Sequence, residues 1–81
     1  MATLYKTDGT KVEDVNISTL KSMQDLVGGY IEFVYLPNKK IMIVDEEGLL
    51  KKGARPNKEA ISLIGRLIVG DVILADYSEV N

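Results

Sequence analysis

The chain of 81 residues has no cysteine and no histidine. Lacking thiols, it can form neither a disulfide nor a thiolate metal cage to supplement a core that its length keeps small. Lacking imidazole, it has lost the commonest general base, the commonest zinc ligand and the usual pH switch. Its serines, Ser18, Ser22, Ser62 and Ser78, therefore have no histidine to activate them, and a hydrolase triad is excluded. Long apolar runs are also missing: none exceeds four residues, against the roughly 20 needed to span a bilayer. Met1 to Lys6 carries no basic segment leading into an apolar one, so no signal peptide is expected. Charge of one sign is weak as well. Ten Lys and Arg face twelve Asp and Glu, a net −2, which supplies no general field to attract nucleic acid. These absences predict a cytoplasmic, non-enzymatic protein without metal, cofactor or membrane partner.

What is present is an ordinary globular balance, 46% apolar and 27% charged. The length suits one domain over residues 1–81. A domain this small buries only about 60% of its unfolded surface. Self-association is the remaining common way to bury more, so a homo-oligomer is expected.

Periodicity and turn residues order the elements. Thr3–Lys6 and Lys11–Val15 read as strands around an Asp8-Gly9 hairpin turn. Ser18 is placed to cap a helix from Thr19, with Leu20, Met23, Leu26 and Val27 on one face and Gly28-Gly29 as its stop. Tyr30–Leu36 alternates as a strand and turns at Pro37-Asn38-Lys39 into Lys40–Asp45. Lys51–Pro56 is a loop, and Asn57 caps a short helix through Leu63. Ile68–Ala75 closes the sheet. The fold class is α+β, a small mainly antiparallel sheet in the order β-β-α-β-β-α-β with the first helix packed on it. Leu20, Met23, Val27, Ile31, Phe33, Ile41, Ile43, Ile61, Ile64, Val72 and Leu74 form the expected core.

The run Leu26-Val27-Gly28-Gly29-Tyr30-Ile31-Glu32, preceded by Gln24, resembles the hallmark of a small family of domains of unknown function. That family is common in bacteriophages and Firmicute mobile elements. The likeness continues at Asp45-Glu46-Glu47-Gly48-Leu49-Leu50, at Pro56-Asn57-Lys58, around Gly65 between Ile64 and Arg66, and at Val69-Gly70. Two positions depart from it: the family usually carries asparagine at Asp45 and arginine at Lys58. The resemblance implies a phage or prophage origin and no particular activity.

Several features have a functional and a structural reading. Gly28-Gly29 follows a helix end, where capping explains it better than a phosphate loop does. Asp45, Glu46 and Glu47 suit a hard cation by type, but consecutive turn residues diverge, so a solvated turn is expected. Lys51, Lys52, Arg55 and Lys58 gather beside the helix start at Asn57, with Arg66 one short helix later. Such a cluster is either a solvated loop or an anion site. Tyr30 and Tyr35 offer either strand packing or a surface on which a base could stack. The ligand-binding expectation is Arg55, Asn57, Lys58, Arg66, Tyr30, Tyr35 and Lys52, acting on a small anionic nucleotide, linear or cyclic. It makes the chain a phage-encoded sponge that sequesters an immune signal without cleaving it. The alternative is an inhibitor or adaptor that binds a host protein. Binding of nucleic acid as such is disfavoured by the net charge.

Overall fold

The computed structural model describes residues 2–80. Thr3–Tyr5 and Lys11–Glu13 form β1 and β2. The turn between them is held by Asp8, whose Oδ1 accepts from the Thr10 N–H at 2.9 Å and the Thr10 hydroxyl at 2.6 Å. β2 stops short of the expected Val15 because Asp14 adopts φ 58°, and the Val15 N–H turns to the Ala2 carbonyl at 3.1 Å.

Helix α1 spans Leu20–Val27. Its cap is Thr19, one residue later than the expected Ser18. The Thr19 hydroxyl accepts from the Ser22 N–H at 3.1 Å, while the Ser18 N–H is taken by Asn16 Oδ1 at 2.8 Å. That short Asx turn hands the capping role to the next hydroxyl. Gly28, at φ 92°, ends the helix as expected, since a left-handed residue there favours the absence of a Cβ. Ile31–Leu36 and Lys40–Asp45 follow as β3 and β4, then a single 3-10 turn at Gly48–Leu50. Helix α2 covers Lys58–Ile64 and β5 covers Val72–Asp76. Ile68 and Val69 stay outside β5; Val69 instead bridges Pro56. A second 3-10 turn occupies Tyr77–Glu79.

The five strands make one antiparallel sheet in the spatial order β2-β1-β5-β4-β3. The predicted class and element order are those observed. Alternation along β4 shows how the sheet is covered. Ile41 and Ile43 belong to one apolar cluster with Met23 and Val27 of α1. Met42 and Val44, pointing the other way, belong to a second with Ala60 of α2 and Ile68. All four are buried, each contributing about 2 kcal/mol by removal from water.

Two expected core residues are outside it. Leu20 is 57% exposed, because it opens α1 at the helix end. Phe33 is 36% exposed, because β3 is an edge strand with no neighbour beyond it. Met42 and Val44 were not expected inside; α2 and Ile68 cover their face.

Candidate functional site

The acidic turn after β4 is the centre of a polar corner. The Asp45 side chain is only 5% exposed and pairs with Lys51. Its Oδ1 also accepts from the Glu47 N–H at 2.9 Å. Lys51 reaches on to the Gly28 carbonyl at 2.8 Å, tying the end of α1 to the turn. A Cβ on Gly29 would lie 2.7 Å from the Lys51 ammonium and 3.3 Å from both Asp45 oxygens. Glycine at position 29 is thus what lets this ion pair form against the backbone. The Glu46 N–H completes the joint by donating to the Tyr30 carbonyl at 2.8 Å. The three consecutive acids diverge, with Glu46 lining one hollow and Glu47 another.

Asn57 is the polar residue at the heart of the second face. It is fully buried. Its Nδ2 donates to the carbonyls of Tyr5 (2.9 Å) and Gly70 (2.8 Å), and its Oδ1 accepts from the Ala60 N–H at 3.1 Å. The sequence expectation that Asn57 contacts a ligand is therefore corrected. Both amide hydrogens are engaged and the group is out of reach of solvent, so its role is to cap α2 and pin it to β1.

The other expected ligand residues surround the Asp45 corner in part. Arg66 lines a hollow of about 260 Å³ beside Glu32, Asp45 and Glu46, over an apolar floor that includes Leu49 and Leu67. Tyr30 lines a more open one of about 440 Å³ with Gln24, Gly28, Gly29 and Glu47. Lys52 borders a third of about 240 Å³, walled by Gly48, Gly53 and Gly70 next to Lys51. Arg55 flanks the third hollow, since its carbonyl accepts from the Gly70 N–H at 2.9 Å. Lys58 stands exposed at the first turn of α2. Tyr35 is elsewhere. Its ring meets Tyr77 edge-on at 5.7 Å, four residues along the β3–β4 ladder from the Asp45 end, or about 13 Å. The structure thus gathers Tyr30, Lys52 and Arg66 around one corner, keeps Arg55 and Lys58 on its flank, and leaves Tyr35 apart.

Compared with known protein families, residues 1–80 match the model of a domain of unknown function, DUF3846. The chain belongs to the DUF3846 family. No curated protein and no solved structure matches it.

Within this DUF3846 chain, the cations fall into two sets. Lys21, Lys40 and Lys51 each pair with a carboxylate, on Asp25, Asp76 and Asp45 respectively. The other seven, Lys6, Lys11, Lys39, Lys52, Arg55, Lys58 and Arg66, have no ion pair among the described residues, and the last four of these fall within fifteen residues of one another. Sequence reasoning placed Lys51 in the basic cluster and missed its partner. The available signal was the buried end of β4 running into an aspartate, which calls for a counter-charge nearby. Among the described residues, no three acids, histidines or cysteines cluster as metal ligands. No helix among them is long and apolar enough to cross a membrane.

Proposed function

We propose that this DUF3846 chain is a non-enzymatic binding protein that holds a small anionic nucleotide on the 51–58 loop and Arg66. In this reading it is phage-encoded and acts in the host cytoplasm as a sponge for a nucleotide immune signal. The observation that carries it is the clustering of four exposed cations, Lys52, Arg55, Lys58 and Arg66, within one stretch of fifteen residues, none of them in an ion pair among the described residues. Phosphate oxygens are natural counter-charges for guanidinium and ammonium donors. Holding such a ligand intact needs no general base, in keeping with a chain that has no histidine. Two of the hollows at the corner, about 260 and 240 Å³, are smaller than the pockets of about 300–1,000 Å³ that enclose ligands, and the third, about 440 Å³, is the more open one, which supports a site completed by a second subunit. The phage origin rests on the sequence resemblance.

Titration calorimetry against cyclic di- and trinucleotides and ADP-ribose derivatives tests the reading. Binding is expected for one member and should weaken at least tenfold in Arg55→Glu, the loss of one charge-assisted contact. No heat from any member removes the proposal, and turnover of any nucleotide removes its non-catalytic part.

A second reading, an inhibitor or adaptor that binds a host protein, is favoured by exposed leucines. Leu49, Leu50, Leu63 and Leu67 are 65%, 83%, 47% and 55% exposed, and Leu49 and Leu67 line one hollow. Capture of one stoichiometric host protein, lost in Leu50→Asp and indifferent to Arg55→Glu, would move the assignment there.

A further inference from the structure

We propose that the chain forms a two-fold dimer by antiparallel pairing of β3 with β3 of a second copy, centred on Phe33. The inference is independent of the anion site.

β3 is the outermost strand on its side of the sheet. The Glu46 N–H donates to the Tyr30 carbonyl, and the register runs from Ile31↔Asp45 to Leu36↔Lys40 without a bulge. Alternation in an antiparallel pair then commits the N–H and C=O groups of Glu32, Val34 and Leu36 to β4. Those of Ile31, Phe33 and Tyr35 face the open edge. Edges left open normally carry lysine, proline, a bulge or a short length to discourage pairing. β3 has none of these over six residues, and its one charge is Glu32. Of the side chains that alternate onto the α1 face of β3, Phe33 and Tyr35 are poorly covered, at 36% and 64% exposed.

Self-pairing selects one register. Only edge-facing residues can exchange hydrogen bonds, so Ile31, Phe33 and Tyr35 must oppose one another. Centring on Glu32 would set two carboxylates face to face, which destabilises a sheet. Centring on Val34 would put Ile31 opposite Pro37, which has no N–H to donate. Centring on Phe33 pairs Phe33 with Phe33 of the second copy and Ile31 with Tyr35. Glu32 then falls opposite Val34, so no like charges meet. Pairing β3 to β2 of another copy would be heterologous, with one edge left open at each end, whereas β3 with β3 closes on itself as a two-fold dimer.

Sedimentation velocity and native mass spectrometry of the full chain, from about 1 to about 100 µM, should report a dimer. Phe33→Asp and Phe33→Lys each place like charges at the two-fold and should raise the dissociation constant about a hundredfold or more. Mixing the two variants should restore a 1:1 heterodimer, a result that misfolded chains would not give. Tyr35→Pro removes an edge-facing N–H, together with the ring contact to Tyr77, without touching a β3–β4 hydrogen bond, and should also yield monomer with an unchanged far-UV spectrum. A monomeric wild type, a Phe33→Asp variant that stays dimeric, or mixed variants that remain apart would each overturn the proposal.

Discussion

The polar corner and the neighbouring loop contain the same kinds of residue in opposite circumstances. Around Asp45 and Asn57, buried polar groups have named partners: a lysine for the carboxylate, two carbonyls and an N–H for the amide. No buried side-chain nitrogen or oxygen among the described residues lacks a hydrogen bond. A few residues away, Lys52, Arg55 and Lys58 face solvent without a counter-ion among the described residues. The contrast separates residues that build the domain from residues that are available to something else. Motif membership does not make that separation, because Asn57 and Lys58 are adjacent in one motif and fall on opposite sides of it.

The largest expected effect is on the built side. Asn57→Ala removes an N-cap and takes the amide's hydrogen bonds away from the Tyr5 and Gly70 carbonyls and the Ala60 N–H inside the protein. A loss of about 2–4 kcal/mol is expected, seen as a fall in melting temperature of about 8 °C or more, at about 4–8 °C per kcal/mol for a chain of this size. An unchanged melting curve would mean that the amide is not the pin described here.

Asn57→Asp refines that test. The new carboxylate would face two carbonyl oxygens, so its pKa in the folded state should rise. A raised folded value gives stability that is present at acid pH and lost as pH rises through it. The variant should therefore approach the wild type near pH 4 and fall below it at pH 7, in parallel denaturant titrations.

Asp45→Ala comes next, with about 1–2 kcal/mol expected for the lost pair with Lys51 and the lost bond to Glu47. Asp45→Asn keeps the second of these and should cost less. Equal losses from the two would assign no value to the charge. On the open side, Arg55→Glu should change stability by no more than about 0.5 kcal/mol while weakening the ligand. A large stability change there would erase the contrast between the regions.

The smallest effect concerns the exposed pair of Lys40 and Asp76. The hydrogen bond from Lys40, and then its charge, hold the Asp76 carboxyl below its ordinary value; the same bond raises the Lys40 ammonium. The Asp76 contribution is complete above about pH 4 and fades as pH falls through the lowered value. The Lys40 contribution is complete below about pH 10.4 and fades as pH rises through the raised one. Asp76→Asn should flatten both flanks of the stability profile slightly. The acid flank should keep some slope, because the Thr10 hydroxyl also lowers the Asp8 carboxyl.

Local chemistry was legible in the sequence. The β4 boundaries, the Gly28 stop and the cap at Asn57 follow from residues within a turn of one another. What escaped depends on partners far along the chain. The burial of Asn57 needs Tyr5, 52 residues away, and the Lys51 bond to Gly28 spans 23. Met42 and Val44 could be assigned to the interior only once α2 was known to lie across them. The slip from Ser18 to Thr19 is of a different kind. Two adjacent hydroxyls have equal claims, and the Asn16 side chain decides between them.

β5 lies at the middle of the sheet although it is the last strand in sequence, flanked by β1 and β4. During synthesis, the β1–β2 and β3–β4 hairpins therefore emerge with nothing to join them. Each is a marginal structure by itself, and the segment between them, which carries α1, must close before the sheet is continuous. A nascent chain halted before Val72 should remain open to proteases and chaperones, and a few further residues should convert it to a resistant one. The domain would then appear abruptly, late in its own translation.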